Sequence, residues 1–243
     1  MRLKCEYKTD EIPFSHNMLF VSLIKEALKR SDPDYFNHLY FYYGHANKQS
    51  KNFTFAVYIK DYAMVEDKFK VNDRVVFNIS SPDLEFMIKL YNGLLKIHEF
   101  EYKGFILQKL RIELVKEKQI SQNEVIFKTL APICIKNKNN YFMKIEDEGY
   151  IDEFNYIADV ILKNYRGNGL RKRLTFIPVD MKKIVVKEKI KGFNDRTNKN
   201  HMHVNAYTGI FKLKGSNEDL KDLYMLGIGF KRNQGFGMVE VIG

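Results

Sequence analysis

Across 243 residues the order of strand-like and helix-like segments runs once and then repeats, and this doubling limits the fold more than any single motif. Residues 2–8 alternate in the manner of a half-buried strand. After Pro13-Phe14-Ser15, the residues Leu19, Phe20, Leu23, Ile24, Ala27 and Leu28 recur at helical spacing, and Ser31-Asp32-Pro33-Asp34 reads as the stop. Two strand-like runs follow, Phe53 to Ile59 and Val75 to Ile79. Ser81-Pro82-Asp83 predicts a cap with proline at the first helical position, and Leu84, Met87, Ile88, Tyr91 and Leu95 the buried stripe of that helix. Phe105 to Val115 closes the first pass as a strand.

The second pass has the same plan. Val125 to Ile135 is a strand interrupted at Pro132, and Glu148 to Tyr165 is a helix with Phe154, Ile157, Ala158 and Ile161 on one face. Leu174 to Ile190 and His203 to Leu213 are long strands. Ser216-Asn217-Glu218-Asp219 has the form of a capping box before Leu220, Leu223 and Tyr224, and Met238 to Ile242 supplies the last strand. The expectation is an α+β chain of two βαββαβ units, residues 1–118 and 119–243.

Composition sets what such a chain can bind. It is 45% hydrophobic and 14% aromatic, enough for two cores and too much for a disordered chain. No apolar run reaches the roughly 18 residues of a membrane span, and the first residues read as a strand rather than a signal peptide, so the expected compartment is the cytoplasm with no membrane partner. Cys5 and Cys134 stand alone, which argues against a disulfide framework or structural zinc. His201-Met202-His203 would put two rings on one strand face, yet no carboxylate or cysteine lies beside them, and neither a metal nor a cofactor is expected. The formal charge is +10. Residues 1–118 hold 19 Lys/Arg against 16 Asp/Glu, and residues 119–243 hold 21 against 14, so the excess is concentrated in the second half. An anionic partner, nucleic acid foremost, is implied.

The C-terminal stretch narrows this. Gly227-Ile228-Gly229 and Gly235-Phe236-Gly237 bracket Phe230-Lys231-Arg232-Asn233-Gln234, and Met238-Val239-Glu240-Val241 follows. Glycines permit positive φ and close backbone approach, while Lys231 and Arg232 would add charge where free amides attract phosphate. This pattern resembles the glycine-rich motif of the CRISPR repeat-RNA processing endoribonucleases of the RAMP superfamily. Thr129-Leu130-Ala131-Pro132-Ile133 and Ile12-Pro13-Phe14-Ser15-His16-Asn17 are similar to segments of that family too, so the resemblance covers the whole chain. It implies that both units are ferredoxin-like and RRM-like, with an open sheet face of the kind that RRM domains use for RNA.

The resemblance also implies a reaction and its residues. Such enzymes cut precursor RNA within repeats without metal. The ribose 2′-OH attacks the adjacent phosphate and leaves a 2′,3′-cyclic phosphate and a 5′-OH. A base, an acid and a cation are needed, which histidine and lysine can supply. Tyr35 to Lys51 contains two histidines, four tyrosines and two lysines. His38 is the leading proton-transfer candidate and His45 the reserve. If the segment is extended, His38 and Tyr40 point the same way and Tyr40 can orient the 2′-OH. Lys51, just before Phe53-Thr54-Phe55, matches the family lysine for stabilising the phosphorane. For RNA binding the candidates are Arg171, Lys172 and Arg173 after a glycine turn, Lys183, Lys187 and Lys189 along a strand, and Gly229, Lys231, Arg232, Gly235 and Gly237.

CRISPR repeat RNA is thus the implied partner, with effector-complex subunits and a second copy of the chain as further candidates. The alternative is a non-catalytic RNA-binding subunit of the same fold. A nucleotide-binding enzyme ranks last, because the glycine loop runs into a strand whereas nucleotide loops open a helix.

Overall fold

The computed structural model describes residues 1–42, 45–47, 49–188 and 202–243. The chain divides into two compact units, Met1–Glu117 and Lys118–Gly243.

In the first unit β1 (Arg2–Lys8) is the central strand. It pairs antiparallel with β6 (Lys68–Ser80) on one side and β8 (Phe105–Val115) on the other. β5 (Thr54–Val65) and the short β2 (Glu11–Pro13) both pair with β6, and β7 (Glu99–Tyr102) forms a hairpin with β8. Among the four strands of the repeated plan the order is therefore β5-β6-β1-β8. Period-two alternation sends Leu3, Cys5 and Tyr7 into the core and leaves Lys4 and Glu6 on the opposite side.

Helices α1 (Asn17–Ser31) and α3 (Leu84–Leu95) cover the core side. The α3 expectation needs two corrections. Its cap is Asp83, whose side chain accepts from the Phe86 amide, while Ser81 Oγ accepts from the Asp83 amide. Its buried stripe is Phe86, Met87, Leu90, Gly93 and Leu94, whereas Leu84 and Ile88 are 61% and 52% exposed. The cause is Gly93. A Cβ there would lie 1.8 Å from the Ala27 carbonyl oxygen, so the bare glycine lets α3 lie directly on α1 and fixes its rotation.

Asp32-Pro33 also does more than stop α1. The Asp32 carboxylate accepts from the Tyr35 amide and Pro33 occupies the first turn of a further helix, α2 (Pro33–Tyr40). A hairpin of β3 (Phe41–Tyr42) and β4 (His45–Ala46) follows it.

The second unit repeats the order. β10 (Thr175–Glu188), β11 (Met202–Lys214), β9 (Glu124–Thr129) and β12 (Val239–Val241) lie side by side, all antiparallel. Helices α4 (Tyr150–Arg166) and α5 (Asn217–Leu226) bury Phe154, Ile161, Leu220 and Leu223 against Phe127, Phe211 and Leu213. With β9 and β12 counted as first and fourth strands, both units have the second-third-first-fourth order of a ferredoxin-like βαββαβ fold. β9 stops at Thr129, earlier than the expected Ile135. The chain turns through Pro132, and Ile133 rejoins β11 by a single bridge to Tyr207.

Candidate active site and nucleic-acid interface

Two sequence-predicted residues of the first unit, Tyr40 and Lys51, meet at the end of α2. Tyr40 is its last residue and packs on Phe36 with ring centroids 5.3 Å apart. The Lys25 ammonium lies 4.9 Å from the Tyr40 ring centroid and that of Lys51 5.7 Å. Burial pushes the Tyr40 phenol well up. Beyond β3, β4 carries His45 outward, and the Asn47 amide then donates to the Tyr40 carbonyl at 2.8 Å. The same loop curls round Lys51, whose Nζ donates to the carbonyls of Asn47 at 3.1 Å and Gln49 at 2.8 Å. Lys51 is 8% exposed. Burial lowers its pKa, and Lys25 adds to that. A largely desolvated ammonium interacts more strongly with a nearby anion than a hydrated one.

His38 is elsewhere. On a helix two residues subtend about 200°, so His38 and Tyr40 leave α2 on opposite sides, and His38 is exposed while Tyr40 packs inward. The segment is helical, not extended, because Asp32 and Pro33 start a helix there. Sequence reasoning missed Lys25 and Asn47, which shape the loop. A lysine inside α1 carries no spacing signal toward a residue fifteen positions on.

The second unit presents its basic residues in three places. The turn bearing Arg171, Lys172 and Arg173 is tied to the start of α5 by Asp219, which is fully buried. Its carboxylate accepts from Arg166 Nη2 at 2.5 Å and from the amides of Arg171 at 2.9 Å and Lys172 at 3.3 Å. Two of the three exposed side chains already have partners, Arg171 with Glu218 and Arg173 with Asp152. Lys172 makes no ion pair among the described residues.

On β10, Lys183, Val185 and Lys187 alternate on one exposed face, while Ile184 and Val186 turn to Val204 and Ala206. Lys189 lies outside the described residues, as does His201 of the H-x-H pair. Among the described residues no cluster of three or more His, Cys, Asp or Glu is placed to hold a metal ion.

The glycine-rich loop is pinned from both sides. Gly227 ends α5, and the Ile228 amide donates to the Gly237 carbonyl at 2.8 Å. The amides of Gly237 and Phe230 donate to the carbonyls of Pro132 and Cys134, each at 2.8 Å. Gly229 (φ 86°) and Gly237 (φ 73°) could not carry a side chain: a Cβ would meet the Cys134 oxygen at 2.8 Å and the Ile228 oxygen at 2.0 Å respectively. Gly235 also has positive φ, and Lys231 is left-handed with its ammonium on Gln234 Oε1.

Two features differ from expectation. Three of the loop's amides are engaged inward rather than open to a phosphate. Arg232 is 2% exposed, and its guanidinium donates to the Leu226 carbonyl in the last turn of α5, so it secures the loop from within. The carbonyl end of a helix attracts a cation, which explains why an arginine is tolerated there. A polar letter in a glycine-rich stretch does not disclose which way it faces.

Comparison with known proteins assigns the lineage. The model of CRISPR-associated protein Cas6, N-terminal, matches residues 11–111, and that of CRISPR associated protein Cas6, C-terminal, matches residues 115–241. The chain belongs to the Cas6 family. CRISPR-associated endoribonuclease Cas6 1 of Methanocaldococcus jannaschii is 26% identical over 249 residues, covering 98% of this chain and 92% of that protein. The Cas6 endoribonuclease of Pyrococcus furiosus is 26% identical over 242 residues, covering 96% and 84%. Among solved structures, a Cas6-related protein from Pyrococcus furiosus superposes with a TM-score of 0.82 at 23% identity, over 100% of this chain and 98% of that one. An RAMP protein binding different RNA substrates superposes at 0.80 and 21%, over the whole of both chains. The fold of the Cas6 and RAMP structures therefore extends over both units.

Proposed function

We propose that this chain is an endoribonuclease that cuts CRISPR precursor RNA within its repeats, and that it does so without metal. The 2′-oxygen attacks the adjacent phosphorus, the bond to the 5′-oxygen breaks, and the products are a 2′,3′-cyclic phosphate and a 5′-OH. Family membership across both units supports the substrate and the cut. The observation that carries the residue roles is the loop joining Tyr40, His45 and Lys51, closed by the Asn47–Tyr40 backbone bond.

In this reading His45 transfers the proton and replaces His38 as the leading candidate, because β4 feeds directly into the coil round Lys51 while His38 points away from Tyr40. Lys51 provides the positive potential that a phosphorane needs. Tyr40 is a platform for the two ammonium groups, and its buried phenol stays protonated, able to donate but not to act as a base. The exposed lysines of β10, Lys172 and the glycine-rich loop hold the RNA.

The test is single-turnover cleavage of a repeat RNA in EDTA, with and without a 2′-deoxy at the cut site. His45→Ala should slow cleavage by roughly 10²- to 10⁴-fold, and His38→Ala by much less. Cleavage that survives the 2′-deoxy, or that requires a divalent ion, would sink the mechanism.

One observation favours a second reading. Lys51 is almost wholly buried and bound to its own loop, as expected of a structural lysine in a non-catalytic RNA-binding subunit. Binding without cleavage, unchanged by His45→Ala, would select it.

A further inference from the structure

The glycine-rich loop does one thing that neither its glycines nor its charges account for. At its tip Phe230 is 37% exposed, although its backbone is bonded at both amide and carbonyl. Its amide donates to the Cys134 carbonyl at 2.8 Å, the Cys134 thiol donates back to the Phe230 carbonyl at 3.3 Å, and Gly229 sits too close to Cys134 to carry a side chain. Beside it lies Phe142, from the hairpin that follows Pro132, with ring centroids 6.4 Å apart and planes at 56°. The Lys136 ammonium lies 5.1 Å from the Phe230 centroid and 5.9 Å from that of Phe142. A ring 37% exposed at a firmly held tip offers a preformed flat face to a planar partner. A cation held at two ring faces adds attraction for an anion next to that partner.

An unpaired nucleotide has the matching chemistry: a flat π-face for the ring and a phosphate for the ammonium. We propose that Phe230, Phe142 and Lys136 form a stacking subsite for one unpaired base of the bound RNA, with Phe230 the ring in contact and Lys136 paired to a flanking phosphate. The subsite rests on the reading that the chain binds repeat RNA. It adds to that reading a single position where the base must be unpaired and present. Stacking alone discriminates little among bases, so the subsite senses strandedness rather than sequence.

The test is a binding cycle on the full chain. Equilibrium affinity is measured for a repeat RNA and for a series in which one nucleotide at a time is made abasic, with the unchanged protein, Phe230→Ala, Phe230→Tyr and Lys136→Met. One abasic position should cost the unchanged protein roughly 10- to 100-fold and cost Phe230→Ala little more than the loss that variant already shows. Phe230→Tyr should bind as the unchanged protein does, and Lys136→Met should lower the slope of log affinity against log salt by about 0.7. Penalties that simply add at every position, or a Phe230→Tyr variant as weak as Phe230→Ala, would overturn the subsite. The abasic scan on the unchanged protein stands even if Phe230→Ala fails to fold, and a flat scan would also overturn it. Failure of the unchanged protein to bind the intact RNA would instead defeat the functional reading above.

Discussion

Glu6 lies on the middle strand of the first sheet with a guanidinium on either flank and an ammonium two residues along the strand. Its carboxylate accepts from Arg74 at 2.9 Å, from Arg111 at 3.0 and 3.1 Å, and from Lys4 at 2.8 Å, so one side chain bridges β6, β1 and β8. These donors, Arg111 foremost, hold its pKa at about 2 against an ordinary 4.5. The native state therefore prefers the charged form, and the stabilisation is complete above pH 4.5 and lost as the pH falls toward 2. Glu6→Gln should lower Tm by several degrees at about pH 7. In urea titrations the gap between variant and unchanged protein should narrow below pH 4.5. A gap constant down to about pH 3 would mean that packing, not charge, is responsible. Arg232 gives a second prediction at this scale. Arg232→Ala leaves the end of α5 without its donor inside a closed loop, and chemical denaturation should register a loss of about 1–3 kcal/mol.

At the scale of elements the glycine-rich loop behaves as a folded piece rather than a tether. Gly237→Ala must place a Cβ 2.0 Å from the Ile228 oxygen at φ 73°, whereas Gly104→Ala, also at positive φ, meets nothing within 4 Å. The first should cost several kcal/mol more than the second in denaturant midpoints, and it alone should weaken RNA binding. Most elements were legible because their signals are local: alternation in β1, helical spacing in α1, a serine cap before α5. The short strands β2, β3, β4 and β7 gave no such signal, and two larger misreadings have physical reasons. Asp32-Pro33 both ends α1 and starts α2, and a stop signal is identical in letters to a start signal when two helices abut. The face that α3 buries was set by the approach of Gly93 to Ala27, two residues far apart in the chain, which no periodicity in α3 records. The candidate site inherited the first of these losses. His38 and Tyr40 could share a site only on an extended segment, and the helix separates them.

For the whole molecule, the charge excess of the second half and the paired state of Arg171 and Arg173 lead to different expectations for neighbouring cations. Lys172→Gln should reduce the slope of log affinity against log salt by about 0.7, the share of one phosphate that the protein then leaves unneutralised. Glu218→Gln or Asp152→Asn, which release an arginine, should tighten binding at low salt and have little effect at high salt. A salt slope unmoved by all three would place the RNA on another surface. The way this turn is built has a further consequence. Asp219 grips main-chain amides, not the side chains that point outward, and it is itself locked between α4 and α5 through Arg166. The path of the turn is thus held through the backbone at positions 171 and 172 and does not depend on which side chain stands there, proline excepted. The outward tips can therefore be exchanged one charge at a time while the buried carboxylate keeps the mount unchanged.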